Sequence, residues 1–261
     1  MAADLELALE LADLADAFTL PRFEQADFTL GWKDNRTEVT EADRGAEQLL
    51  ADHVLAERPE HGFFGEELGL QGNPDSPWRW IVDPIDGTSG FVRGIPVWAT
   101  LIALTHTPHD STDQQVVVAV VSAPAMGRRW WASLGHGAFA DGRRCRVSDV
   151  AELSAAQVSI TFNSGWDRLG LTGELVALLQ HARRARGFGD FWQHCLVAEG
   201  ALDLAVDAIG VAPYDIASVR LLVEEAGGRF TDRTGVATHQ QPSAISSNGL
   251  LHDQVITRLG R

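Results

Sequence analysis

Apolar positions recur with the period of a helix near the start of the chain. Leu7, Leu11, Leu14 and Phe18 are spaced by four, three and four residues, which is the stripe of an amphipathic helix. We expect this helix to end at Pro21, because proline inside a helix removes a backbone hydrogen bond.

A second helix is predicted to begin after Thr40, whose hydroxyl is suited to cap it. Glu41 and Asp43 follow in its first turn, where acids interact favourably with the helix dipole, and apolar residues recur as far as Val54. A local capping role therefore accounts for Asp43 on the sequence alone.

Runs of apolar, β-branched residues predict strands at 97–104 and 116–121, which we assign to one sheet. A shorter run, Trp80–Val82, precedes Asp83 and Pro84. We expect that strand to end at this point, because proline cannot donate to a strand ladder.

The second half of the chain alternates between the two periods. Strands are predicted at 157–162, 202–206 and 244–246, and helices at 174–182, from Gly189–Asp190 and after Asp215. The basic segment Arg183–Arg186 is interpreted as a helix end. The alternation predicts a layered α/β fold, with an N-terminal α+β subdomain over 1–145 and a C-terminal α/β subdomain over 146–261.

The composition of the chain excludes several classes of function. The chain has 261 residues and a formal charge of −15, which argues against a nucleic-acid-binding footprint and against binding to anionic membranes. Its two cysteines indicate no disulfide framework, its N-terminus lacks the basic region of a secretory signal, and no apolar run approaches the ~18 residues of a membrane span. We expect a cytoplasmic protein.

One short motif carries the candidate chemistry. Asp83 and Asp86 lie on one turn, and carboxylate pairs with a carbonyl and water suit Mg²⁺ better than Zn²⁺. Gly87 lets backbone approach a ligand, and Thr88 adds a hydroxyl. The motif alone leaves open an Asp-rich turn that caps the next helix. In so acidic a protein, carboxylates can bind a phosphate ester only if cations invert the local potential.

Three separated motifs occur in a fixed order, namely Gly65-Glu66-Glu67, Asp83–Thr88 and Tyr214-Asp215. In this respect the chain resembles the inositol monophosphatase family over nearly its whole length, with Tyr214 where the family usually has Trp. The resemblance implies an αβαβα sandwich, a Mg²⁺-dependent phosphate monoester hydrolase with two or three ions per site, and a homodimer.

The resemblance also implies roles for individual residues. Glu66, Asp83 and the Ile85 carbonyl would bind one Mg²⁺, and Asp83, Asp86 and Asp215 a second; a third, weaker ion near Glu66 would carry the attacking water. Thr88, backed by Asp43, would orient that water. The amides of Gly87 and Thr88 would hold the phosphate, and Asp215 also faces the substrate.

Within the family, four stretches resemble actinobacterial histidinol-phosphatases: Phe91–Trp98, Arg128–Ala132, Gly189–Phe191 and Cys195–Gly200. Inositol-specific members usually place a small hydroxyl residue at the position of Asp190, and a Glu at that of Ala208, next to Asp207. Acids beside the leaving group suit the cationic alcohol histidinol. We therefore expect L-histidinol phosphate as substrate, with inositol 1-phosphate second and nucleotide 3′-phosphates third.

A non-enzymatic alternative is a regulatory interaction protein, since some members of this superfamily bind the transcription machinery. The complete set of ligands argues against an inactive enzyme, and the charge of −15 argues against direct RNA binding.

Overall fold

The computed structural model describes residues 2–33, 37–109, 111 and 113–260. The chain packs as two compact units, Met1–Leu134 (unit 1) and Gly135–Arg261 (unit 2). The subdomains predicted from the sequence, 1–145 and 146–261, were defined by the site residues that each would contribute, and they stay a prediction.

Unit 1 combines a mixed sheet with two long helices. Its elements are α1 (Ala2–Gln25), β1 (Leu30–Trp32), β2 (Glu38–Thr40), α2 (Glu41–Glu57), β3 (Gly62–Gly65), β4 (Gly69–Gly72), β5 (Trp78–Asp86), α3 (Thr88–Phe91), β6 (Ala99–His106), β7 (Gln115–Ala123) and β8 (Arg128–Ser133). The main sheet has the order β8-β7-β6-β5-β3-β4 and is antiparallel except for the parallel pair β3–β5, while β1 and β2 form a separate antiparallel pair.

The first helix continues beyond Pro21, so the predicted end there is wrong: α1 runs to Gln25. A proline inside a helix removes the hydrogen bond to the carbonyl four residues before it and crowds that carbonyl. Leu20 and Phe23, on either side, pack against a buried cluster that contains Phe91 and Trp98. This packing holds the last turns in the helix.

The predicted start of the second helix is confirmed. Thr40 is the N-cap of α2, and its hydroxyl accepts the amides of Ala42 and Asp43. Asp43 completes a capping box, because its Oδ2 accepts the Thr40 amide at 2.7 Å.

The predicted end of the strand at Pro84 is wrong, because β5 continues to Asp86 through a bulge. Asp83 pairs with Leu101 and Asp86 with Ala99, so one extra residue is accommodated on β5. Pro84 falls in this bulge, where no ladder N–H is needed, and its carbonyl accepts the Thr100 hydroxyl at 2.8 Å.

The core of unit 1 lies between the two long helices and the sheet. Its buried members include Leu7 and Leu11 of α1, Leu50 and Val54 of α2, and the sheet residues Phe63, Trp80, Val82, Ile102, Leu104, Val118 and Val120. The end of β5, which carries the acidic motif, is therefore anchored in a rigid apolar layer.

Unit 2 contains the remaining elements: β9 (Gly137–Ala140), β10 (Arg143–Arg144), β11 (Gln157–Ile160), α4 (Gly165–Arg168), α5 (Thr172–His181), β12 (Arg184–Arg186), α6 (Asp190–Ala198), β13 (Leu204–Asp207), α7 (Pro213–Glu225), β14 (Arg229–Thr231), β15 (Ala244–Ser247) and α8 (His252–Leu259). Its five-stranded sheet has the order β12-β11-β13-β15-β14, parallel across the first three strands and antiparallel across the last three.

Two predictions in unit 2 require correction. Arg184–Arg186 is an edge strand rather than a helix end, because it pairs in parallel with β11. Helix α7 begins at Pro213 rather than after Asp215, since proline suits the first helical position. The helices predicted at 174–182 and from Asp190 correspond to α5 and α6.

Within the described ranges, which end at residue 260, no helix has both the length and the apolar content that crossing a membrane requires.

Candidate functional site

The bulged end of β5 brings two acidic side chains together in unit 1. One carboxylate oxygen of Asp83 and one of Asp86 lie within 4.8 Å of each other. Both residues are buried, Asp83 at 1% and Asp86 at 8% exposure. Asp83 Oδ1 accepts the Ile85 amide at 3.0 Å, which fixes the orientation of that carboxylate. Two buried like charges so close together favour a shared cation.

The chain then turns through Gly87, whose φ is 89°. Glycine adopts this positive φ easily because it has no Cβ. This turn places the Thr88 hydroxyl 3.0 Å from Asp43 Oδ1 and 3.0 Å from the Ile85 carbonyl. The hydroxyl has one proton, so it donates to one of these acceptors at a time.

Asp43 serves the helix and contacts the site as well. Its Oδ2 accepts both the amide and the hydroxyl of Thr40, while Oδ1 receives Thr88. Burial raises the pKa of the Asp43 carboxyl, and the nearby Glu66 charge adds to this, whereas the Thr40 and Thr88 hydrogen bonds oppose the increase. The capping role and the contact with Thr88 are therefore compatible.

Glu66 lies in the turn between β3 and β4, together with Glu67. The Lys33 ammonium lies 2.7 Å from a Glu66 carboxylate oxygen and also contacts Glu67. Sequence reasoning missed Lys33, because it lies in a polar segment with nothing to indicate its partners. The loop predicted over Lys33–Thr37 includes residues 34–36, which lie outside the described residues.

Sequence reasoning also missed Glu47, although a signal was present. Glu47 lies four residues after Asp43 and three before Leu50, on the buried face of α2, and it is fully buried. Burial raises its pKa to about 7, against the opposing effect of the Glu67 and Leu68 amides, which donate to its carboxylate. An acid within the apolar stripe of a helix indicates a specific partner.

In unit 2, Asp190 begins α6 in an unusual backbone conformation. Its φ is 47°, and it directly follows Gly189 at 74°. Asp190 as a residue is exposed, yet protein atoms surround its carboxyl group. This crowding and then the Asp207 charge raise the pKa of Asp190 to about 6, while His194 acts in the opposite direction.

Asp207, at the end of β13, is buried beneath the same helix. Its Oδ2 accepts Gln193 Nε2 at 2.7 Å and lies 2.8 Å from His194 Nε2. A carboxylate only accepts, so His194 Nε2 carries a proton, while Nδ1 lies 2.7 Å from the Ser246 hydroxyl. These contacts connect α6 to the sheet of unit 2.

Asp215, the remaining predicted ligand, lies in the first turn of α7. Its Oδ2 accepts the Ala212 amide at 2.7 Å, so it helps to cap the helix from inside the first turn. It is half-buried.

The unit 1 residues thus form one acidic group with a hydroxyl at its edge. Carboxylate and carbonyl oxygens are hard donors of the kind that Mg²⁺ prefers. Thr88, held by a carboxylate, can orient a water molecule, and the adjacent backbone turn can approach an anion.

Comparisons with known proteins agree with this chemistry. The model of the inositol monophosphatase family matches residues 3–260. A histidinol-phosphatase of Mycobacterium tuberculosis is 48% identical over 262 residues, which cover 98% of this chain and 97% of the relative. One from Streptomyces coelicolor is 43% identical, covering 99% and 97%.

Among solved structures, the extragenic suppressor protein suhB from Bartonella henselae superposes with a TM-score of 0.88, 28% identity and 99% coverage of both chains. The predicted layered α/β class is confirmed by this likeness.

Proposed function

Because the chain belongs to the inositol monophosphatase family and is a phosphate monoester hydrolase, we propose that it converts L-histidinol phosphate to L-histidinol and inorganic phosphate with Mg²⁺ as cofactor. The reaction is a step of histidine biosynthesis. The observation that carries the choice of substrate is the near-full-length similarity to histidinol-phosphatases.

We assign the metal ligands as Glu66, Asp83, the Ile85 carbonyl, Asp86 and Asp215, holding two or three Mg²⁺ ions. The chemistry of the donors supports this, because all are hard oxygens and Asp83 and Asp86 are buried together. Bound Mg²⁺ supplies charge neutralisation at the phosphoryl oxygens, a lowered pKa of water and stabilisation of the leaving alkoxide.

Thr88 and Asp43 are proposed to orient the attacking water. When the Thr88 hydroxyl donates to Asp43 Oδ1, 3.0 Å away, its oxygen can accept a hydrogen bond from the water. With the Thr88 hydroxyl in this orientation, it does not donate to the Ile85 carbonyl. The water oxygen would then bond to phosphorus in line with the alcohol oxygen as the ester P–O bond breaks, and the proton lost by the water would end on the departing alkoxide. Glu66 is proposed to act at the same water.

The amides of Gly87 and Thr88 are proposed to hold the phosphate oxygens. Gly87 adopts a left-handed conformation immediately before α3. Successive backbone N–H groups in a turn of this kind can form a concavity that binds an anion.

Asp190 is proposed to bind the cationic part of histidinol through a charge-assisted hydrogen bond. At pH 7 its carboxyl, with a pKa of about 6, is mostly ionised. Asp207 is 5% exposed and accepts hydrogen bonds from Gln193 and His194 of α6. We therefore propose that it contributes to substrate binding through its charge and by fixing the position of α6. Asp215 is assigned a substrate contact in addition to its role as ligand.

A phosphate-release panel tests the substrate. Purified enzyme with Mg²⁺ would be given histidinol phosphate, inositol 1-phosphate and adenosine 3′,5′-bisphosphate at matched concentrations. We expect the highest kcat/KM for histidinol phosphate. A higher value for either other ester would replace this substrate, and no release from any ester would contradict the enzymatic assignment.

We further propose that the protein is a cytoplasmic homodimer, as family resemblance implies. Light scattering coupled to gel filtration would measure the mass, and a species of about one 28.3 kDa chain would contradict the dimer.

A further inference from the structure

The carboxylate of Glu47 occupies a specific seat beneath the turn between β3 and β4. Its Oε2 accepts the Glu67 amide at 2.8 Å and its Oε1 accepts the Leu68 amide at 2.7 Å. We call the Glu47 carboxylate, Gly65 and these two amides the Glu47 seat. Both oxygens of one carboxylate are thereby committed to successive amides of the turn.

Gly65 is the fourth side of this seat. A Cβ at residue 65 would overlap the Glu47 carboxylate, so only glycine lets the strand and the carboxylate approach this closely. The requirement for glycine at this position is steric, because Gly65 does not adopt a left-handed conformation. The sequence Gly65-Glu66-Glu67 is therefore shaped partly by Glu47, which lies on a different element.

We propose that Glu47 is a positioning residue for Glu66. By fixing the two amides that follow Glu66, and by requiring glycine before it, Glu47 determines where the turn presents the Glu66 carboxylate to a divalent cation. This inference rests on the proposed function, because it takes Glu66 as a metal ligand.

The physical case depends on burial. A fully buried carboxylate inside the apolar stripe of α2 is costly unless it is satisfied, and two backbone amides satisfy it. A purely structural role would make Glu47 matter for stability alone. A positioning role requires metal affinity to change as well.

The first experiment compares Glu47→Gln with Glu57→Gln by Mg²⁺ calorimetry. In Glu47→Gln, the new side-chain amide would set its own N–H against one of the two backbone N–H groups and distort the turn. We expect about 10- to 100-fold weaker Mg²⁺ binding, as is typical when support of a metal ligand is lost. Glu57→Gln removes the same charge from an exposed position of α2 and should leave binding unchanged. Unchanged affinity in folded Glu47→Gln would overturn the proposal.

A second variant separates position from charge. Gly65→Ala keeps every charge but pushes the Glu47 carboxylate out of the seat, so it should also weaken Mg²⁺ binding. In a Glu47→Ala background the new methyl has room, and Gly65→Ala should then lower the melting temperature much less. Equal losses of melting temperature in both backgrounds would show that the two residues do not compete for space, and would contradict the seat.

A measurement on the unmodified protein decides the matter if the variants do not fold. Amide hydrogen exchange should show Glu67 and Leu68 protected, and exchange as fast as in an exposed loop would overturn the seat. Protected amides in a protein that binds no Mg²⁺ would instead show that the metal assignment of the proposed function had failed.

Discussion

Buried polar clusters occur in both units, but they differ in how their polar groups are paired. In unit 1, Asp43, Glu47, Asp83 and Asp86 are all acids. In unit 2, His194 pairs with Asp207 and Ser246, and His252 contacts Thr231 and Ser247. We refer to them as the acidic group and the histidine pairs.

The difference indicates two ways to bury polar atoms. The hydrogen-bonding groups of the histidine pairs are matched with partners within unit 2. In the acidic group, like charges accumulate, and burial raises the pKa of Asp43 and of Glu47. Burying several carboxylates together destabilises the folded state, and a bound cation can offset that destabilisation. Unit 1 should therefore respond to metal, and His252 to pH.

The largest expected effect is that of metal removal. Chelation with EDTA should abolish phosphate release and lower the melting temperature, because bound ions relieve repulsion only in the folded state. Added Mg²⁺ should restore both. Hydrogen exchange would locate the change, which we expect at 83–88 rather than at the histidine pairs. Full turnover in chelator would contradict the mechanism.

Asp86→Asn should reduce the rate of phosphate release by several orders of magnitude without unfolding the protein. The substitution keeps the size of the side chain but removes a charge that we assign to binding the cation. Circular dichroism would check the fold. An active Asp86→Asn enzyme would exclude Asp86 as a ligand.

Thr88→Ala should lower kcat by about 100-fold or more while KM changes little, because it removes the hydroxyl that we propose to orient the water. Asp43→Asn should follow the same pattern, since it weakens the acceptor of the Thr88 hydroxyl. If Asp43→Asn costs only about 1 kcal/mol of stability and no activity, its role is that of a helix cap.

Comparison of these residues shows how far the sequence could lead. The cap at Thr40 and the pairing of Asp83 with Asp86 follow from neighbours within a few residues, so local reasoning found them. The bulge at Pro84 was missed, because it depends on the register with β6, which local patterns do not encode. Glu47 was missed because its partners are about twenty residues away.

The same limit applied to the helices. The sequence predicted a helix beginning at Gly189–Asp190, and α6 begins there, but the positive φ of Asp190 is a tertiary feature. Helix α1 continues past Pro21 because the packing of Leu20 and Phe23 outweighs the lost hydrogen bond. Propensity predicts elements well, and packing decides their ends.

His252 should make unit 2 sensitive to acid. Burial, and then the Arg229 charge, lower the pKa of His252 to about 4 from an ordinary value near 6.5. The unfolded chain therefore binds a proton that the folded chain refuses, so stability is complete above pH 6.5 and is lost as the pH falls towards 4. The loss is at most about 3 kcal/mol.

Denaturant unfolding of the metal-free protein across this range would measure the effect. His252→Gln should make the dependence less steep, whereas His109→Gln, at an exposed histidine, should not. A dependence remains because burial also lowers the pKa of His239 to about 4. An equally steep dependence in His252→Gln would contradict the assignment to His252.

The smallest expected effect concerns Asp190, which we propose to bind the cationic part of the substrate. Asn tolerates a positive φ as Asp does, so Asp190→Asn changes the charge without adding backbone strain. Gly189, not Asp190, is the N-cap of α6, so loss of a helix cap cannot imitate the result. We expect kcat/KM for histidinol phosphate to fall by about ten- to a hundred-fold, the value of a charge-assisted hydrogen bond. Turnover of inositol 1-phosphate, which has no cation, should remain nearly unchanged. Equal losses on both esters would point to general disturbance of the site, and no loss on either would remove Asp190 from substrate recognition.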